Sequence, residues 1–81
     1  MKTIKIIIEK TKDQYTAYAE NVTGIYGGGD TVVEAKESIL KSIHLLKKYN
    51  KNKVPKILLS DYQLIYKFDT QSLLNYYKGN F

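Results

Sequence analysis

Apolar and polar residues alternate from Lys2 to Lys10, with Ile4, Ile6 and Ile8 on one side and Thr3, Lys5, Ile7 and Glu9 on the other. A period of two is the mark of a strand with one covered face. Thr11-Lys12-Asp13 supplies turn residues. Gln14 to Glu20 then resumes the alternation, setting Tyr15, Ala17 and Ala19 against Thr16, Tyr18 and Glu20. The two segments read as a hairpin. After a second turn over Asn21 to Gly24, Ile25-Tyr26-Gly27 predicts a short third strand. Gly28-Gly29 reads as a tight bend into a helix, because residues without Cβ adopt the positive φ angles such bends use.

The period lengthens at Thr31. Thr31-Val32-Val33-Glu34 fits a capping box, in which the hydroxyl and the carboxylate satisfy free amides of the first turn. From there to about Lys48, Val32, Ala35, Ile39, Ile43 and Leu46 recur at helical spacing with Leu40 beside them, while Glu37, Lys41, His44 and Lys48 fall mostly on the far side. Leu45 lies roughly opposite the apolar stripe. Asn50 to Lys56 ends the helix as a linker, with Pro55 imposing an extended or turn conformation. Tyr62, Leu64, Tyr66 and Phe68 then alternate with Gln63, Ile65 and Lys67 as a fourth strand. Asp69-Thr70 opens a short last helix carrying Leu73, Leu74, Tyr76 and Tyr77, which Gly79 closes.

The order β-β-β-α-β-α predicts an α+β domain over residues 1–81: a mostly antiparallel sheet of about four strands with one main helix on one face. A right-handed crossover returns the last strand parallel to an earlier one. The expected core is Ile4, Ile6, Ile8, Ala17, Ala35, Ile39, Ile43, Leu46 and Leu64. The uncovered face carries Ile7, Tyr18 and Ile65, more apolar than a merely solvated face, and such a face predicts pairing in a symmetric homodimer.

Eighty-one residues are enough for one core and too few for two. The apolar runs Ile6-Ile7-Ile8 and Ile57-Leu58-Leu59 fall far short of a membrane span, and no membrane partner is expected. The Lys/Ile alternation and Glu9 at the start lack the features of a secretory signal, so the expected location is cytoplasmic. The chain has no cysteine and a single histidine, His44, which removes thiol chemistry, disulfides and multi-histidine metal sites; neither a metal nor a cofactor is expected. The net charge is +5. All its basic residues are lysines, which lack the planar fork that reads guanine or phosphate bidentately.

Candidate chemistry is sparse. Gly27-Gly28-Gly29 before a helix has the look of a phosphate cradle, yet neither GxGxxG nor GxxxxGK[ST] spacing is present, and Asp30 puts a negative charge where the phosphate sits. Glu9, Glu34 and Asp69 stand at element ends, but a two-metal nuclease needs carboxylates converging on ions about 4 Å apart. Glu34 and Asp69 are better used as caps, and Glu9 faces outward. No catalytic residue is expected. Lys47, Lys48, Lys51, Lys53 and Lys56, with Tyr49 among them, form a basic cluster able to attract RNA. Tyr18, Leu45, Lys48, Lys51 and Lys53 are the expected contact residues for a partner or for RNA.

The stretch from Gly24 through Gly29-Asp30-Thr31-Val32-Val33-Glu34-Ala35, following the strand that contains Tyr15-Thr16-Ala17-Tyr18, resembles the HicB-like antitoxin family. The family pattern is a Gly, a short strand, then Gly-Asp-Thr-x-x-Glu-Ala opening the helix. Gly24, Gly29, Asp30, Thr31, Glu34 and Ala35 fit that pattern as structural residues, and the resemblance covers about residues 4 to 48. Glu20-Asn21-Val22-Thr23 stands where the family has a Pro-containing turn. The resemblance implies a partial ribonuclease H fold without nuclease activity. It also implies a HicA-like toxin protein as partner, a small messenger-RNA-cleaving enzyme that the domain binds and occludes. Operator DNA is bound in that family by a separate C-terminal segment, expected to lie outside these 81 residues, with transcriptional autoregulation as the outcome; residues 69–81 read as the helix leading into it. Two alternatives remain, an RNA-binding module using Lys47 to Lys56 and an orphan structural domain.

Overall fold

The computed structural model describes residues 1–49 and 53–69. It is α+β, with strands β1 (Lys2–Lys10), β2 (Tyr15–Ala19) and β3 (Tyr26–Gly29), helix α1 (Val32–Tyr49), a short 3₁₀ helix (Lys56–Leu59) and strand β4 (Tyr62–Phe68). The sheet order is β3-β2-β1-β4. β1 pairs antiparallel with β2, β2 antiparallel with β3, and β4 returns parallel to β1. The last helix expected from Asp69 onward lies outside the described residues.

Side-chain size changes in steps across the inner face. One cross-strand row runs Gly27, Ala17, Ile8, Phe68 from β3 to β4; the next pairs Ala19 and Ile6 with Tyr66; another pairs Ile4 with Leu64. Glycine, alanine, isoleucine and finally leucine and aromatics thus line successive strands. The small end lets α1 settle on β3 and β2, where a Cβ on Gly27 runs into the Ser38 side chain and one on Gly29 into Glu34. At the large end long side chains of α1 lie over β4. Lys36 Nζ lies 4.6 Å from the centre of the Tyr66 ring, and Lys47 Nζ 5.1 Å from that of Tyr62. Eleven residues are about three helical turns, so both lysines leave the same face of α1. Their stems and ammonium groups roof β4 where other strands have aliphatic cover.

Ile4, Ile6, Ile8, Ala17, Ala35, Ile39 and Ile43 are buried as the pattern predicts, and Ala19, Val22, Ile25 and Leu58 join them. Leu46 and Leu64 are only half-buried, packed against this core rather than within it. The 3₁₀ turn that buries Leu58 lies in a segment too short to show helical periodicity. Leu58 N donates to the Pro55 carbonyl at 3.0 Å.

Two local expectations change. Gly28 and Gly29 form no positive-φ bend; they continue β3, and the positive φ falls at Gly24 (φ 97°) instead. Glycine is needed at 27 and 29 for the close approach of α1, and at 24 for backbone geometry. The capping box also closes one residue early. Glu34 N donates to Thr31 Oγ1 at 3.1 Å as expected, but the Glu34 carboxylate accepts the Asp30 amide, at 3.2 Å, rather than that of Thr31.

Asn21 ends the hairpin. Its Oδ1 accepts the Lys5 amide at 3.0 Å and its Nδ2 donates to the Thr3 carbonyl at 2.9 Å, so a side-chain amide continues the ladder after β2 stops.

Candidate functional site

The sheet face turned away from α1 carries an apolar row. Strand register sets Tyr26 beside Tyr18, Tyr18 beside Ile7, and Ile7 beside Lys67. Ile65 stands one row down, beside Lys5. Because Ala17 and Ala19 point inward, period two turns Tyr18 outward, and the same parity opposite Tyr18 directs Tyr26 to this face. Tyr26 is 71 % exposed, Ile65 44 % and Tyr18 40 %, so side chains able to bury large areas in a partner meet solvent here. Tyr18 Oη lies 3.4 Å from Glu9 Oε1. Loss of hydration, then the Glu9 carboxylate, holds its phenol above the ordinary value, keeping Tyr18 a neutral donor. Tyr26 is the residue of this row that sequence reasoning passed over. Its signal was the register, since only pairing with β2 shows that it extends the line begun by Ile7 and Tyr18.

Leu45 lies elsewhere. It is 41 % exposed and lines a groove of about 500 Å³ between α1 and the β3 edge, together with Gly24, Tyr26, Lys41, Leu46 and Tyr49, so that Tyr26, at the sheet edge, borders both this groove and the open face. The structure therefore does not bring Tyr18 and Leu45 into one site: the first is on the open sheet face, the second on the helix. Lys47 is directed onto Tyr62, with Nζ 3.4 Å from the hydroxyl, and Lys48 Nζ lies 5.3 Å from the Tyr49 ring centre. Lys53 and Lys56 are exposed, and Lys51 lies outside the described residues.

The residues of the Gly-Asp-Thr-x-x-Glu-Ala stretch do structural work. Gly29 makes room for Glu34, Asp30 and Thr31 complete the cap with it, and Ala35 is fully buried under the sheet. The Glu34 carboxylate is thereby committed to the Asp30 amide. Among the described residues no three of His, Cys, Asp and Glu come together in a metal-binding arrangement, and no helix is long and apolar enough to cross a membrane.

Comparison of the chain with models of known protein families, with curated proteins and with solved structures finds no match.

Proposed function

We propose that this chain is a HicB-like antitoxin domain, which binds a small HicA-type messenger-RNA-cleaving toxin and occludes its RNA site without catalysis of its own. The observation that carries this reading is the row Tyr26, Tyr18, Ile7 with Ile65, an uncovered aromatic and aliphatic surface on rigid strands. Such surfaces suit protein partners, where aromatic anchors supply most of the binding energy. A partner held by apolar contact also accommodates two basic proteins, because little of the attraction is Coulombic. Support comes as well from the strand-to-helix junction, where the residues that resemble the family motif are spent on the cap and on the approach of α1 to β3.

The test is co-expression with a HicA-type toxin, reading growth rescue and co-purification. The parent chain rescues growth and retains the toxin; Tyr18→Lys and Tyr26→Lys, with unchanged thermal stability, lose both. Lys48→Glu and Lys53→Glu retain both. Rescue that follows the lysines and ignores the tyrosines contradicts the reading and favours RNA binding by the basic cluster.

A further inference from the structure

The edge of the sheet at β4 offers a second surface, whose partner can be read from the strand itself. Asp61 O accepts the Lys2 amide and Asp69 N donates to the Ile8 carbonyl, so odd-numbered residues of this segment direct their backbone groups at β1. The N–H and C=O groups of Tyr62, Leu64, Tyr66 and Phe68 therefore point outward, and no partner strand lies there among the described residues. The usual devices that protect an edge are sparse: β4 has no proline and continuous register with β1 over its whole length, and Lys67 is its one charge.

The sequence of β4, Tyr-Gln-Leu-Ile-Tyr-Lys-Phe, is symmetric in character about Ile65. Antiparallel pairing with an identical strand about a two-fold axis at Ile65 sets Ile65 against Ile65, Gln63 against Lys67, Leu64 against Tyr66, and Tyr62 against Phe68. The uncharged Gln63 meets the single cation, and no like charges face each other. Leu64 opposite Tyr66 and Tyr62 opposite Phe68 fall at the positions whose backbone groups are free, so those pairs exchange ladder hydrogen bonds, while Ile65 meets its copy in a non-hydrogen-bonded pair with close side chains. A shift that sets Lys67 against its own copy brings two ammonium groups together and leaves Tyr62 and Leu64 unpaired.

We propose that two copies of this chain join β4 to β4 in antiparallel register centred on Ile65, making one sheet continuous across both. The pairing also covers what α1 leaves thin, because the half-buried Tyr62, Leu64 and Tyr66 and the exposed Phe68 of each copy come together beneath the roofs of Lys36 and Lys47. It places the two aromatic rows on the same side of the joined sheet. The pairing is independent of the antitoxin reading and stands or falls without it.

The absence of cysteine makes the test direct. Paired residues at a non-hydrogen-bonded site have Cα atoms about 4.5 Å apart, within disulfide range. Under mild oxidation Ile65→Cys should yield covalent dimer at least about tenfold faster than Tyr18→Cys, because pre-paired thiols react at a high effective concentration. Ile65→Lys and Ile65→Glu, both at an exposed open-face position, should each sediment as monomers with thermal stability retained, and an equal mixture of the two should form dimers. A parent chain that stays monomeric at its highest soluble concentration overturns the proposal. So does cross-linking at Tyr18 that outpaces Ile65, which is the result of face-to-face stacking.

Discussion

At the β3 edge the outward amides of Tyr26 and Gly28 lie 3.3 Å and 3.2 Å from the hydroxyl oxygens of Ser42 and Ser38, to which they donate, whereas at the β4 edge the outward groups of four residues face no strand among those described. The difference follows from residue size. Glycines on β3 let the helix descend until two of its serines, one turn apart, reach past the strand and occupy its edge. Isoleucines and aromatics line β1 and β4 at the other end, where Lys36 and Lys47 of the helix lie over the rings of Tyr66 and Tyr62. Among the described residues the sheet therefore has one edge occupied by side-chain hydroxyls and one that carries the strand proposed above to pair with its own copy.

The largest expected effect tests the depth of the core on either side of the sheet. Ile39→Ala, under β3 and β2, should cost about 2–5 kcal/mol in denaturant unfolding, while Leu64→Ala on half-buried β4 should cost about 1–2 kcal/mol. Equal losses would remove the contrast between the closed and the open side. Next in size is Gly27→Ala. Its new methyl meets Ser38, and lifting the helix off β3 should cost about 1–3 kcal/mol. A neutral result would mean that the contact at this edge is loose.

Ser38→Ala combined with Ser42→Ala unseals β3 at about 1 kcal/mol for each hydrogen bond lost. Its more telling consequence is in assembly. With both edges open, association no longer closes at a dimer, so light scattering should show open-ended growth with concentration. A double variant that assembles like the parent would show that the serines do not guard the edge.

The smallest effect is a pH dependence. Burial holds the Tyr66 phenol above its ordinary value of 10.0. A raised value in the folded state favours the neutral phenol, so the stability it contributes is complete below the ordinary tyrosine range and is lost as pH rises through the raised value. Tyr66→Phe should therefore unfold less steeply at alkaline pH than the parent. Identical alkaline profiles would contradict a partly desolvated phenol at this position.

The strands, the helix start at Thr31 and most of the core were legible in the sequence, because each rests on a local period or on a cap whose partners are three residues apart. What was not legible depends on register. Gly28-Gly29 looked like a bend, since glycine is equally at home with positive φ and with a close neighbour, and only the positions of Tyr15 and Glu34 decide between them. Leu46 and Leu64 shared the apolar parity of the core yet lie at its margin, Leu46 in the groove beside Gly24 and the β3 edge and Leu64 on the edge strand β4. Tyr18 was visible as an outward residue. The row it forms with Ile7 and Tyr26 needed three strands in alignment, as did the placing of Tyr18 on the open sheet face while Leu45 stands on the helix. Lys47 read as part of a solvated cluster, but its stem serves as cover for Tyr62.

The difference between the two edges can be measured residue by residue through amide hydrogen exchange at increasing protein concentration. Pairing through β4 predicts that the amides of Tyr62, Leu64, Tyr66 and Phe68 exchange freely in dilute solution and become protected as concentration rises, while those of Tyr26 and Gly28 are protected throughout. Exchange at the four β4 amides that does not respond to concentration, or protection that appears instead along β3, would contradict it.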